Sequence, residues 1–131
     1  KEHESLLYSM DNYSKNVVMS IFNRYDEILK TRRENAQICM EELDGIIDFV
    51  EPLKNTEPSW LYFVLMHKNR NGVIKKLLKE KIDLSPLLTF KDLSGSGRKA
   101  SKAEREHLVF ALYRDRKEID FIIKKIKKVV K

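Results

Sequence analysis

The sequence predicts an α+β fold: a long N-terminal helix, then a small three-stranded, mainly antiparallel sheet with helices on one face. Three observations carry this. Apolar residues recur every three or four positions from Val17 to Leu43; the period then breaks into three short runs of aromatic and branched residues; and helical spacing returns between and after those runs. The chain has 131 residues, 42% of them hydrophobic, enough for a core and against intrinsic disorder.

The first element is the long helix. Val17, Val18, Ile21, Phe22, Tyr25, Ile28 and Leu29, then Ala36, Cys39, Met40 and Leu43, form one stripe. Ser14 or Asn12 is expected to cap its start, and Asp44-Gly45 to stop it. Such a helix would run about 28 residues, or roughly 40 Å. Arg32 interrupts the stripe, so a kink or a change of packing partner is expected there. A helix this long exceeds what so small a globule can cover, and something else should pack on it.

Ile46 to Val50 reads as a short strand stopped by Pro52, and Trp60 to Met66 as a buried strand. From Gly72, Val73, Ile74, Leu77, Leu78 and Ile82 return to helical spacing, with Asn69 or Asn71 as the cap. Pro86 to Leu93 shows no clean period, and Ser94 to Lys99 reads as a flexible polar connector. Ser101 and Glu104 form a capping box for a short helix. His107 to Tyr113 is the third strand. Asp115 opens a last helix carrying Ile119, Ile122, Ile123, Ile126 and Val129, its lysine-rich end complementing the helix dipole. These elements divide into an N-terminal segment with the long helix, 1–44, and an α+β unit, 45–131.

Function is less visible. Lys and Arg exceed Asp and Glu by 26 to 20, a net charge of +6. Lys124, Lys125, Lys127, Lys128 and Lys131 cluster at one end, and Arg98 and Lys99 form a smaller group. A solvated helix face explains such a run better than a phosphate-binding patch, because the aromatics Trp60, Tyr62 and Phe63 sit in an apolar strand. The single cysteine, Cys39, rules out an internal disulfide and agrees with a reducing, cytoplasmic setting. Its place on the apolar stripe makes it a structural thiol. His67 and His107, at strand ends, read as backbone-bonding residues before catalytic ones. No metal-ligand spacing, phosphate loop or nucleophile motif occurs, and no segment has the length of a membrane span.

Taken together, four stretches resemble the C-terminal part of the DegT/DnrJ/EryC1/StrS aminotransferases. Tyr8-Ser9-Met10-Asp11-Asn12 resembles the family's N-Y-R-M-x-N segment. Arg24 to Leu29 with Arg32 to Ala36 resembles the helix that follows it. Trp60 to Met66, Arg70 and Leu77 to Ile82 resemble a strand, helix and turn of the small domain. Ala103-Glu104, the strand to Tyr113, and Glu118 to Ile123 resemble the family's ending.

The resemblance implies the small domain of the aspartate aminotransferase fold, from a pyridoxal-phosphate enzyme acting on nucleotide-linked keto sugars in amino-sugar biosynthesis. It implies that the Schiff-base lysine and the phosphate-binding turn lie upstream in a large domain outside this sequence. The start at Lys1 instead of a methionine is expected on that reading. The cofactor then belongs to the parent protein, with none bound to this chain alone, no catalytic residue or metal site here, and a homodimer through the long helix. Tyr8 and Asn12 are the candidate polar neighbours of substrate or cofactor.

Leu7 and Ser9 replace the family's Asn and Arg, Lys81 its glycine before Ile82, and Ala111 a proline. Leucine and serine cannot supply the amide or the cationic fork they replace, so a divergent or inactive parent is consistent with them. The alternative reading is a stand-alone basic module binding nucleic acid or an anionic protein. A third is a helical dimerisation unit through Val17 to Leu29.

Overall fold

The computed structural model describes residues 11–87, 91–92 and 98–130, and of Arg98 the backbone alone. In chain order the elements are α1 (Asn12–Phe22), α2 (Tyr25–Leu43), β1 (Asp48–Phe49), β2 (Tyr62–Met66), α3 (Arg70–Lys79), α4 (Arg98–Glu106), β3 (His107–Ala111) and α5 (Arg116–Val130). The sheet is antiparallel in the order β1-β2-β3. The fold class is therefore the one the residue periodicities predict.

The expected long helix is two helices. The Arg24 amide donates to the Ile21 carbonyl, a tighter i→i+3 turn that closes α1, and Ile28 restarts the α ladder on the Arg24 carbonyl. Asn23, a weak helix former, sits at the break. The Arg24 guanidinium donates to the Tyr113 hydroxyl at 2.8 Å, which ties the start of α2 to the chain just after β3. No break occurs at Arg32, through which α2 runs unbroken. The cap of α1 is Asp11, with Asn12 and Ser14 already inside the helix; the Ser14 amide and hydroxyl both donate to the Asp11 carboxylate.

The core lies between one sheet face and three helices. Register places Phe63 opposite Phe110 and Leu65 opposite Leu108, so their side chains share a face. On that face they meet Ala36, Cys39 and Leu43 of α2, Val73 and Leu77 of α3, and the isoleucine stripe of α5. The Phe63 ring is central, with centroids 5.4 Å from Phe49, 6.0 Å from Trp60 and 5.7 Å from Phe110. Beyond β3, the Val109 amide donates to the Ser85 carbonyl, so the segment after α3 guards that sheet edge.

The strands are shorter than their apolar runs, each for a local reason. The Ile46 and Ile47 amides still bond the Leu43 carbonyl, so β1 begins only at Asp48. Trp60 has a positive φ of 49°, which keeps it out of β2. At the end of β3 the Arg114 amide turns back to the Leu112 carbonyl.

The start of α4 also differs from expectation. Arg98 and Lys99 belong to its first turn, and Ser101 lies inside it. Ser101 and Glu104 do not form a capping box: the Ser101 hydroxyl donates to Asp92 Oδ2 at 2.6 Å, and Glu104 Oε2 accepts the Asp92 amide at 3.0 Å. Arg, Lys, Ala and Glu all favour helix, so it extends upstream of the apparent cap. The rest of the expected connector, 94–97, lies outside the described residues.

Lys81 occupies a position that favours glycine. At the end of α3 the Ile82 amide reaches the Leu77 carbonyl and the Lys81 amide the Leu78 carbonyl, a Schellman turn that puts Lys81 at φ 64°. The left-handed conformation costs an L-residue about 1–2 kcal/mol; glycine relieves that strain, and its larger entropy loss on folding offsets part of the gain. Lys81→Gly is expected to raise stability by about 0.5–1 kcal/mol, or Tm by roughly 2–5 °C. Lys81→Ala, which keeps the Cβ, is expected to give no such gain. Thermal melts of the three proteins check this, and equal Tm values for the glycine and alanine variants would refute the strain argument.

Candidate functional site

The residues nominated from sequence do not converge. Tyr8 lies outside the described residues. Asn12 is the exposed first residue of α1. It lines neither of two surface grooves formed by the described residues, one at the end of the sheet and one beside Tyr113. Ser14, chiefly through its hydroxyl, holds the Asp11 carboxyl below its ordinary range, as suits a helix cap.

Beyond Asn12, α1 carries exposed apolar residues. No residue of α1 is buried. Tyr13 is 80% exposed, Ile21 54% and Phe22 70%, with Val17, Val18, Met19 and Tyr25 also exposed. Ile28 and Leu29 are half-buried, and only from Asn35 does the stripe enter the core. An 11-residue helix gains too little from its own hydrogen bonds to justify such a surface in water.

The histidines and the cysteine have structural roles. His67 Nδ1 accepts the Asn69 amide at 3.0 Å, in the turn that leads to the Asn69 cap of α3. His107 is 5% exposed and bonds backbone on both sides: Nε2 accepts the Leu87 amide, and Nδ1 lies 2.7 Å from the Ala103 carbonyl. That geometry selects the tautomer with the proton on Nδ1. Burial pushes the Cys39 thiol up to about 12, so it stays protonated and unreactive near neutrality. Among the described residues no three His, Cys, Asp or Glu side chains are grouped to hold a metal ion, and no helix is long and apolar enough to cross a membrane.

Three lysines at the end of α5 are ion-paired within the chain, to two carboxylates. Lys125 and Lys128 each place Nζ 2.6 Å from a Glu80 carboxylate oxygen, and Lys127 does the same to Glu42. Lys124 is exposed, and Lys131 lies outside the described residues. Three paired ammonium groups are a helix face tied to its neighbours, a weak start for a phosphate groove.

Hydrogen bonds from Lys125 and then Lys128 pull the Glu80 carboxyl from its ordinary 4.5 down to about 2. A depressed carboxylate stabilises the fold above its unfolded value and loses that contribution as pH falls through the folded one. Glu80→Gln is therefore expected to melt below the wild type at pH 7, by a margin that holds to about pH 5 and closes toward pH 2. Paired melts across that range test it; a margin independent of pH would rule out the ion pairs as its source.

Sequence reasoning passed over Asn35. Only 4% exposed, it sits on the buried stripe of α2, and its Nδ2 donates to the Leu112 carbonyl at 2.8 Å and the Arg114 carbonyl at 2.9 Å. An amide on an apolar stripe was the available signal. Arg32, one turn before Ala36, is half-buried, and its Nε is buried without a hydrogen-bond partner among the described residues.

No protein-family model matches the sequence, and no curated protein matches it. Solved structures do. A DegT/DnrJ/EryC1/StrS aminotransferase from Brucella abortus superposes with a TM-score of 0.80 over 91% of this chain, at 17% identity. The fold is that of about one third of this aminotransferase structure. The match covers 35% of the Brucella chain. DesV from S. venezuelae, solved with a ketimine intermediate, matches with a TM-score of 0.76 at 18% identity, over 93% of this chain and 37% of its own. Spr1654 from Streptococcus pneumoniae, described as a sugar aminotransferase and solved in its PMP form, gives 0.71 at 22% identity, over 86% of this chain and 33% of its own. This chain thus spans about a third of the aminotransferase structures it matches, and its fold is the one the four sequence motifs implied.

Proposed function

We propose that this chain is the C-terminal part of a pyridoxal-phosphate-dependent, nucleotide-sugar aminotransferase-like protein whose catalytic lysine lies in a preceding large domain. The observation that carries the reading is the superposition of 91% of this chain on 35% of an aminotransferase chain. The four motif stretches, in the family's order, support it independently. So does the bare apolar surface of α1, which suits a helix meant to be covered.

On this reading the segment to residue 44 meets the missing domain and a second subunit in a cytoplasmic homodimer. Residues 45–131 are the small domain, and Tyr8 and Asn12 approach substrate or cofactor. Spr1654 has been solved in both PLP and PMP forms, which supports the same cofactor in the parent protein. That cofactor would supply the electron sink for transamination. Asn12 lines neither of the two grooves described above, so no catalytic step is assigned to this chain. Leu7 and Ser9 stand where the family carries an amide and a guanidinium, so the parent either binds its substrate differently or has lost activity.

The test is the intact mass and visible absorbance of the protein purified from its native source. A much heavier polypeptide with the yellow Schiff-base chromophore is the expected result. A heavier, colourless protein would identify a relative without the cofactor, with Leu7 and Ser9 the first positions to restore. A native polypeptide of 131 residues would overturn the reading.

A further inference from the structure

We draw no further inference here: the strongest candidate, the groove at the end of the sheet lined by Asp44, Asp48, Glu51, Lys68, Lys102 and Glu106, mixes carboxylates with lysines, and no second observation in the structure points to a ligand.

Discussion

Phe63→Ala is expected to destabilise the domain by about 3–5 kcal/mol, the usual cost of emptying a buried aromatic site. The ring is fully buried and has Phe49, Trp60 and Phe110 around it, so its removal leaves a cavity bordered by all three. No single helix can move in to fill it, because the ring sits on the middle strand of the sheet. Domains of this size are stable by only about 5–15 kcal/mol, so the variant should lose a large share of its margin. Urea titrations would show a lower midpoint at an unchanged slope. Phe121→Ala is the control. That ring is 46% exposed and contacts the Lys125 ammonium at 5.2 Å, worth roughly 0.5–1 kcal/mol. Similar losses at the two positions would mean that the core is not organised around Phe63.

Asn35→Ala is expected to cost about 2–4 kcal/mol, because two carbonyls at the exit of β3 lose their donor. Those carbonyls, on Leu112 and Arg114, lie where the chain leaves the sheet for α5, so this one side chain joins α2 to the strand–helix turn. At roughly 3–5 °C per kcal/mol for a chain this long, Tm should fall by about 10 °C. Asn35→Asp distinguishes lost packing from lost donation. It keeps the shape but, ionised, offers only acceptors to two carbonyls, and at pH 7 it should be worse than alanine. An aspartate variant as stable as the wild type would show that these hydrogen bonds contribute nothing.

Both positions show what was legible in the sequence. Phe63 stands in an unbroken apolar run, Trp60 to Met66, so a buried strand was legible, whereas the alternation that turns Phe63 and Leu65 to the core appears only in the structure. Asn35 has a helical position that is equally legible, yet its partners are 77 and 79 residues away. The same contrast holds at the histidines. That His67 and His107 begin or follow strands could be read from the local pattern, whereas the Leu87 amide that fixes the His107 tautomer is 20 residues upstream. For the candidate site the sequence offered only Tyr8 and Asn12, through a resemblance. The surface that distinguishes α1 is exposure, which periodicity does not report: an apolar stripe has the same spacing whether its cover is present or lies on another chain.

The sequence by itself determined the number and type of the elements after Leu43, the core face of α5 and the stop at Gly45, whose φ of 67° favours glycine; of the expected α3 stripe, Val73 and Leu77 are buried but Leu78 is 60% exposed. Side-chain periodicity and turn chemistry are local, and each of these features depends on residues within a few positions. Tertiary structure decided where the helices begin and end. The expected single helix breaks at Asn23–Arg24, where the Arg24 guanidinium reaches Tyr113. The expected cap at Ser101 lies inside α4, its hydroxyl on Asp92. The lysines of α5 are held by Glu80 and Glu42 of other segments. At the α1–α2 break and along α5 the hydrogen bonds join groups distant in sequence, while at α4 the Ser101 hydroxyl is taken up by Asp92 and local helix preference extends the helix upstream.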